Sequence, residues 1–230
     1  MKKYIPYLVL GYAFFSFVLY LNQSSVRNVL TTKQSSACIV IDVGHGGNDP
    51  GKVSANGIQE KDINLQIALY LKDYLIARDY IVYLTRENDC GLYNENVSNK
   101  KASDMTNRIQ FFKEKNASYV VSIHQNSYPD TIQHGAQTFY FAGSDEGKQL
   151  ADSIQQSLLE FDGSNTRQIK SSDNYYILKH SSAPAVIVEC GFLSNPEEAA
   201  KLSDPNYQKE LAYAISLGIY NHSNPSKQKH

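Results

Sequence analysis

Tryptophan is absent from this chain, and cysteine, at 3 of 230 residues, is scarce. Cys38, Cys90 and Cys190 are odd in number and lack CxxC spacing, which argues against a disulfide framework, a thiolate metal cluster or a redox pair; they read as buried or idle thiols. An excess of either charge is also missing. With 22 basic against 23 acidic residues, no net field draws nucleic acid or an anionic membrane surface, so any anionic partner has to be met locally. The glycine-rich stretch from Gly44 to Gly51 has no Lys-Ser or Lys-Thr after it and lacks the last glycine of a dinucleotide fingerprint, which argues against nucleotide binding. No internal repeat is visible.

Long apolar runs are missing except for one. Tyr4 to Leu21 is uncharged and follows Lys2 and Lys3, so residues 1–21 read as a signal or membrane anchor of just enough length to reach across a bilayer. Leu21, Asn22 and Gln23 stand where a small-x-small cleavage site would be, which favours an uncleaved anchor and places the remainder outside the cytoplasm. Ser36-Ala37-Cys38 lies too far from that run to be a lipidation box. Residues 22–37 are polar and unpatterned, as in a linker. Residues 38–222 form the folded domain, and 223–230 a frayed polar tail. At about 190 residues beyond the anchor and linker, the chain is the size of one domain.

What is present within that domain alternates. Cys38 to Val43 is a β-branched apolar run that stops at glycines, as a buried strand feeding a loop would. Ile63, Ile67, Leu71 and Leu75 recur at helical spacing from Lys61 to about Arg78. Further strands are predicted at Tyr80–Leu84, Tyr119–Ile123, Ala136–Phe141 and Ala185–Val188. Helices are predicted around Met105, Ile109 and Phe112, over Gly147–Phe161 and over Asn206–Tyr220. The pattern predicts a single α/β domain with a mixed, mostly parallel sheet covered by helices on both faces.

Catalytic groups in open α/β sheets collect at the carboxyl ends of strands. His45 follows the first strand, with glycine on both sides that lets the backbone turn sharply. His124 ends a strand in Ser122-Ile123-His124-Gln125-Asn126-Ser127, Glu189 ends Val186-Ile187-Val188-Glu189, and Glu60 opens the first helix. Two histidines and one carboxylate are a known zinc set for hydrolytic sites, with the fourth position open to water, and His45, Glu60 and His124 supply it. Glu189, on an apolar floor that raises its pKa, suits the proton-transfer role that such a site needs. Each residue also has a structural reading. A strand-end histidine is commonly a hydrogen-bonded framework residue, Glu60 complements a helix N-terminus, and Glu189 could serve an ion pair. Residue types and spacing alone leave the two readings level.

The wording of the segments resembles the zinc-dependent N-acetylmuramoyl-L-alanine amidases of the amidase-3 family. Ile41-Asp42-Val43-Gly44-His45-Gly46-Gly47-Asn48-Asp49-Pro50-Gly51 is similar to its opening motif, followed by Glu60-Lys61-Asp62. Leu84-Thr85-Arg86, the His124 segment, and Pro184 to Asn195 around Glu189 resemble its later blocks, in the family's order. Ser127 stands where alanine is frequent and Cys190 where a small or aliphatic residue is frequent. The resemblance spans Cys38 to His222. It implies a phosphorylase/hydrolase-like fold, one zinc per chain on His45, Glu60 and His124, Glu189 as catalytic carboxylate, and cleavage between the lactyl group of muramic acid and L-alanine in peptidoglycan.

A bare catalytic domain behind one anchor is most similar to the germination and spore-cortex branch. That placement implies cortex peptidoglycan as substrate, action on the cortex side of a forespore, an activating partner protein, and membrane contact through the N-terminal segment only. Asn126 and Arg108 are further substrate-binding candidates, the latter because its planar fork suits a stem-peptide carboxylate; turn chemistry and a structural salt bridge are their alternatives. Arg86 carries the same pair of readings. His134 and His180 default to surface or structural roles. The competing functions are a zinc carboxypeptidase acting on stem peptides and a non-catalytic peptidoglycan-binding module.

Overall fold

The computed structural model describes residues 36–225. The expected anchor at 1–21, all but the end of the expected linker and the last five residues of the expected tail lie outside the described residues. Among the described residues, no helix is long and apolar enough to cross a membrane.

Strands β1 (Cys38–Val43), β2 (Ile81–Leu84), β3 (Tyr119–Asn126), β4 (Gln137–Tyr140), β5 (Lys170–Ser171) and β6 (Ala185–Phe192) form one sheet in the order β2-β1-β3-β6-β4-β5. Pairing is parallel from β2 through β1 and β3 to β6, antiparallel between β6 and β4, and parallel again at β5. This is the mixed, mostly parallel sheet expected from the alternation of elements.

Side chains on successive strand positions face opposite layers. Ile39, Ile41, Val43, Val121, Ile123, Val186 and Val188 pack with helices α1 (Glu60–Ile76), α3 (Asp145–Phe161) and α6 (Pro205–Ser223). Val40, Val120, Ala185 and Ile187 pack instead with Phe112 of α2 (Lys100–Glu114) and with Ile177 and Leu178 of the short α4 (Tyr176–His180). Both faces are therefore covered, which is why the central strands read as continuous apolar runs.

The structure departs from the sequence reading at the strand tips. β3 continues past Ile123 to Asn126 and β6 past Val188 to Phe192, so His124 and Glu189 are paired strand residues opposite one another rather than the last residues of their strands. Hydrophobic patterning ends at the first polar side chain, whereas backbone pairing does not. Three short elements also escaped: β5, α4 and α5 (Pro196–Leu202), each too short to show a period. The last did carry an N-terminal signal, since the Asn195 side chain accepts from the backbone N–H groups of Glu197 and Glu198 and Pro196 occupies the first turn.

One buried contact locks β4 onto its helix. The Gln155 amide of α3 accepts from Thr138 N at 2.8 Å and donates to the carbonyls of Ala136 and Arg167 at 3.1 and 2.9 Å. Gln155→Met keeps the volume but removes the side-chain partner of the Thr138 N–H and the Arg167 carbonyl, leaving Ala136 O to Asn165, and should lower unfolding stability by about 3 kcal/mol in urea titration.

Candidate metal centre

The loop after β1 is set by charge at its base. Asp42, 1% exposed, accepts from Arg108 Nη1 at 2.6 Å, from Ser122 Oγ of the neighbouring strand at 2.6 Å and from Thr85 Oγ1 at 3.2 Å. Burial alone would push its carboxyl upward, but Arg108 and Ser122 outweigh that and hold it below the usual range. The same guanidinium donates to Val43 O at 2.7 Å, to His45 O at 2.9 Å and to Asp104 at 2.6 Å. Arg86, also buried, donates to His45 O at 2.8 Å and to Gly44 O at 3.0 Å. Two cations thus grip the carbonyls of a single turn.

Arg108 is therefore not the stem-peptide contact that its planar fork suggested. At 1% exposure, with Asp42, Asp104 and two carbonyls on its donors, it lies beneath the loop rather than in a cleft. Asn126 makes a turn contact, its side-chain oxygen accepting from Ser127 N at 2.8 Å. His134 and His180 are exposed and outside the cluster. Cys38, Cys90 and Cys190 are free thiols.

The grip matters because His45 itself, and not only Gly46 after it, has a positive φ, here 60°. That conformation costs a side-chain-bearing residue on the order of 1 to 3 kcal/mol and persists only where the surroundings impose it. The turn carries the imidazole over the sheet end, where it meets the His124 ring edge to face at a centroid distance of 4.9 Å. Gly44 permits this approach: a Cβ there would lie 2.4 Å from His124 Cε1. Gly51, at φ 66°, does the same on the other side, where a Cβ would lie 2.6 Å from Glu60 Oε2 and 2.7 Å from His45 Cδ2.

Glu60, at the first position of α1 and 3% exposed, stands between the two rings. Its Oε1 lies 3.2 Å from His45 Nε2 and 3.0 Å from His124 Nδ1. The β3–β6 ladder slips between His124 and Asn126, and there the Gln125 N–H turns to Glu60 Oε1 at 3.0 Å, a use of a bulge to re-aim a backbone donor. Lys52 N donates to Oε2 at 2.8 Å and Asn64 Nδ2 to Oε1 at 3.3 Å. Burial would raise this carboxyl, but the two imidazoles hold it far below the usual range. His45 shows the complement: burial lowers its pKa, but Asp49, whose Oδ2 sits 2.9 Å from Nδ1, and Glu60 together raise it to about 9.

These residues suit a cation. One ligand atom from each of His45, Glu60 and His124 lies within 4.8 Å of the others, and the remaining His45 nitrogen is fixed by a carboxylate, as ligand histidines usually are. Two nitrogens and one oxygen are a first-row divalent metal set with room for a further ligand. Beside them stands Glu189, 6% exposed, whose Oε2 is buried with no hydrogen-bond partner. Burial raises its pKa, the charge of Glu60 adds to the rise, and His124 opposes it. A carboxylate inclined to hold a proton, with one oxygen uncommitted next to a metal-type cluster, can act as general base and then general acid. A recess of about 330 Å³ opens from His45 and Asp49 toward Tyr93, Lys101 and Met105.

Sequence reasoning found the four central residues but missed Asp49 and Tyr175, whose hydroxyl lies 3.3 Å from Glu189 Oε1. Asp49 sat within the quoted motif, four residues after His45. Tyr175 had no signal beyond its type.

The fold has counterparts among known proteins. A family model described as N-acetylmuramoyl-L-alanine amidase matches residues 39–221. The germination-specific N-acetylmuramoyl-L-alanine amidase of Bacillus subtilis is 36% identical over 188 residues, covering 80% of this chain and 79% of that protein. The CwlD amidase of Clostridioides difficile, solved in complex with the GerS lipoprotein, superposes with a TM-score of 0.80 at 38% identity, covering 83% of this chain and 100% of that one. The catalytic domain of CwlV, an amidase from Paenibacillus polymyxa, gives 0.73 at 29% identity, covering 82% and 98%.

Arg108→Met separates the two readings of that residue. Leaving Asp42 buried without its cation should cost roughly 3 to 5 kcal/mol in denaturant unfolding. A substrate-contact role would instead leave stability unchanged and raise KM.

Proposed function

The chain belongs to the N-acetylmuramoyl-L-alanine amidase family, and from that premise we propose a zinc-dependent hydrolase acting outside the cytoplasm on the amide between the lactyl group of muramic acid and L-alanine in peptidoglycan. The observation that carries the zinc reading is the convergence of His45, Glu60 and His124 beside Glu189. Zinc held by those three residues would supply Lewis acidity, lowering the pKa of a water and polarising the scissile carbonyl. The protein's own part is positional and acid–base. Glu189 takes the proton of the attacking water on its uncommitted Oε2 and returns it to the departing L-alanine nitrogen, for which its burial-raised pKa is suited. Asp49 fixes the His45 ring, and the backbone donors on Glu60 keep that carboxylate oriented between the imidazoles.

Spore-cortex peptidoglycan is the substrate we favour, since the Bacillus subtilis relative is described as germination-specific and its overlap with this chain extends over most of both. A lipoprotein that activates the enzyme fits the same placement, because the Clostridioides difficile relative was solved in complex with a lipoprotein. Residues 1–21 would hold the domain at the membrane face, and 22–37 would let it reach the wall. Asn126, at the rim of the β3 tip, is retained as a substrate contact.

Purified protein should hold about one zinc per chain by elemental analysis. His124→Ala should lose both metal and turnover, whereas Glu189→Gln should keep the metal and lose turnover by roughly 10² to 10⁴-fold. Full activity in Glu189→Gln would overturn the assigned chemistry. Mass spectrometry of digested muropeptides, with zinc and the partner lipoprotein supplied, should show free intact stem peptides; release of single amino acids would make the protein a carboxypeptidase instead.

A further inference from the structure

We propose that Tyr175 is a positioning residue for Glu189, its hydroxyl holding one carboxylate oxygen so that the other is presented for proton transfer. The inference rests on the amidase reading and deepens it. Tyr175 Oη donates to Glu189 Oε1 at 3.3 Å, and Glu189 Oε2 has no partner. The two oxygens of this buried group are therefore unlike: one is committed and one is free.

The approach of the tyrosine is built rather than incidental. Tyr175 immediately precedes α4, whose Ile177 and Leu178 are buried, at 5% and 4% exposure, in the apolar layer under β4 and β6. Its ring packs edge-on against Phe139 of β4 at a centroid distance of 5.5 Å, and Phe139 is registered opposite Ile187, two residues before Glu189 on β6. The antiparallel edge of the sheet thereby braces the ring while the hydroxyl reaches the β6 tip. Phenylalanine would satisfy that packing equally well, so the oxygen has to be accounted for by what it bonds. Burial, reinforced by the charge of Glu189, pushes the phenol pKa well above its usual value, which keeps it a donor at any working pH. A lone carboxylate on an apolar floor would otherwise rotate between orientations, only some of which aim a lone pair at the attacking water.

Tyr175→Phe in the full chain, supplied with zinc and the partner lipoprotein and assayed on a soluble disaccharide-peptide muropeptide, should lower kcat by roughly ten- to a hundredfold, the range seen when the partner of a reactive side chain is removed. KM, zinc content and melting temperature should stay at the wild-type values. In a Glu189→Asp background, where the carboxylate is drawn back by one methylene, the same substitution should cost nothing further. Unchanged kcat in Tyr175→Phe overturns the inference, as does an equal loss in both backgrounds or a loss that tracks a fall in melting temperature. A rise in KM alone would make Tyr175 a substrate contact. Absence of turnover in the wild-type protein under these conditions would sink the amidase reading itself, and this inference with it.

Discussion

The ion pair between Asp42 and Arg108 is the constraint on which the rest of the site depends. A charge on the floor of a parallel sheet is expensive unless paired and hydrogen-bonded, and Asp42 is both, through Arg108, Ser122 and Thr85. The pair fixes Arg108 against the end of β1, and the fixed guanidinium is then available to hold the carbonyls of Val43 and His45. Arg86 repeats the device from the opposite side. The strained φ of His45 follows from this grip, and the direction of its imidazole follows from that strain. A buried ion pair contributes little net stability; here it sets the geometry of a turn that no local propensity would hold.

From that turn the cluster is assembled by mutual compensation. Glu60 is buried and would favour neutrality, but two imidazoles and three amide donors stabilise its charge. Glu189, on β6, has a single donor, the Tyr175 hydroxyl, and burial drives it the other way. Two carboxylates in one site thus have opposed proton affinities because one gathers several donors and two imidazoles on its oxygens, whereas the other is buried with one oxygen unbonded. Such a division separates a ligand from a proton carrier.

Much of this was legible in the sequence, and the limits follow from what pattern can encode. β-branched runs ending in polar residues revealed β1, β3 and β6 together with His45, His124 and Glu189. The helix period revealed α1, and with it Glu60 at its start. For Arg108 the sequence favoured a structural salt bridge over a substrate contact, and the ion pair with Asp42 agrees with that; that Arg86 and Arg108 act together as a clamp was not legible, because the buried partner and the gripped carbonyls have to be known. Asp42 was that partner, and it lay inside an apolar run. Tyr175 was hidden for a different reason: it is brought to Glu189 by β5 and α4, elements too short to have a period, and by an antiparallel edge whose direction the sequence does not state.

The position of the cluster is a consequence of topology rather than of any one residue. From β1 the chain passes through α1 on one face to β2, then through α2 on the other face to β3, which lies on the opposite side of β1. The order reverses between β1 and β3, and at such a point the loops leaving the strand ends diverge and open a crevice. His45 leaves the end of β1, His124 stands at the tip of β3, and Glu60 comes in at the start of the helix that follows β1, after the loop of residues 44–59, so the three surround the crevice. β6 adds Glu189 in register with His124, and its antiparallel neighbour β4 flanks the far side with Phe139, against which Tyr175 packs. A parallel strand in the place of β4 would set its carboxyl end beside Glu189, where the antiparallel strand instead presents its beginning, Gln137.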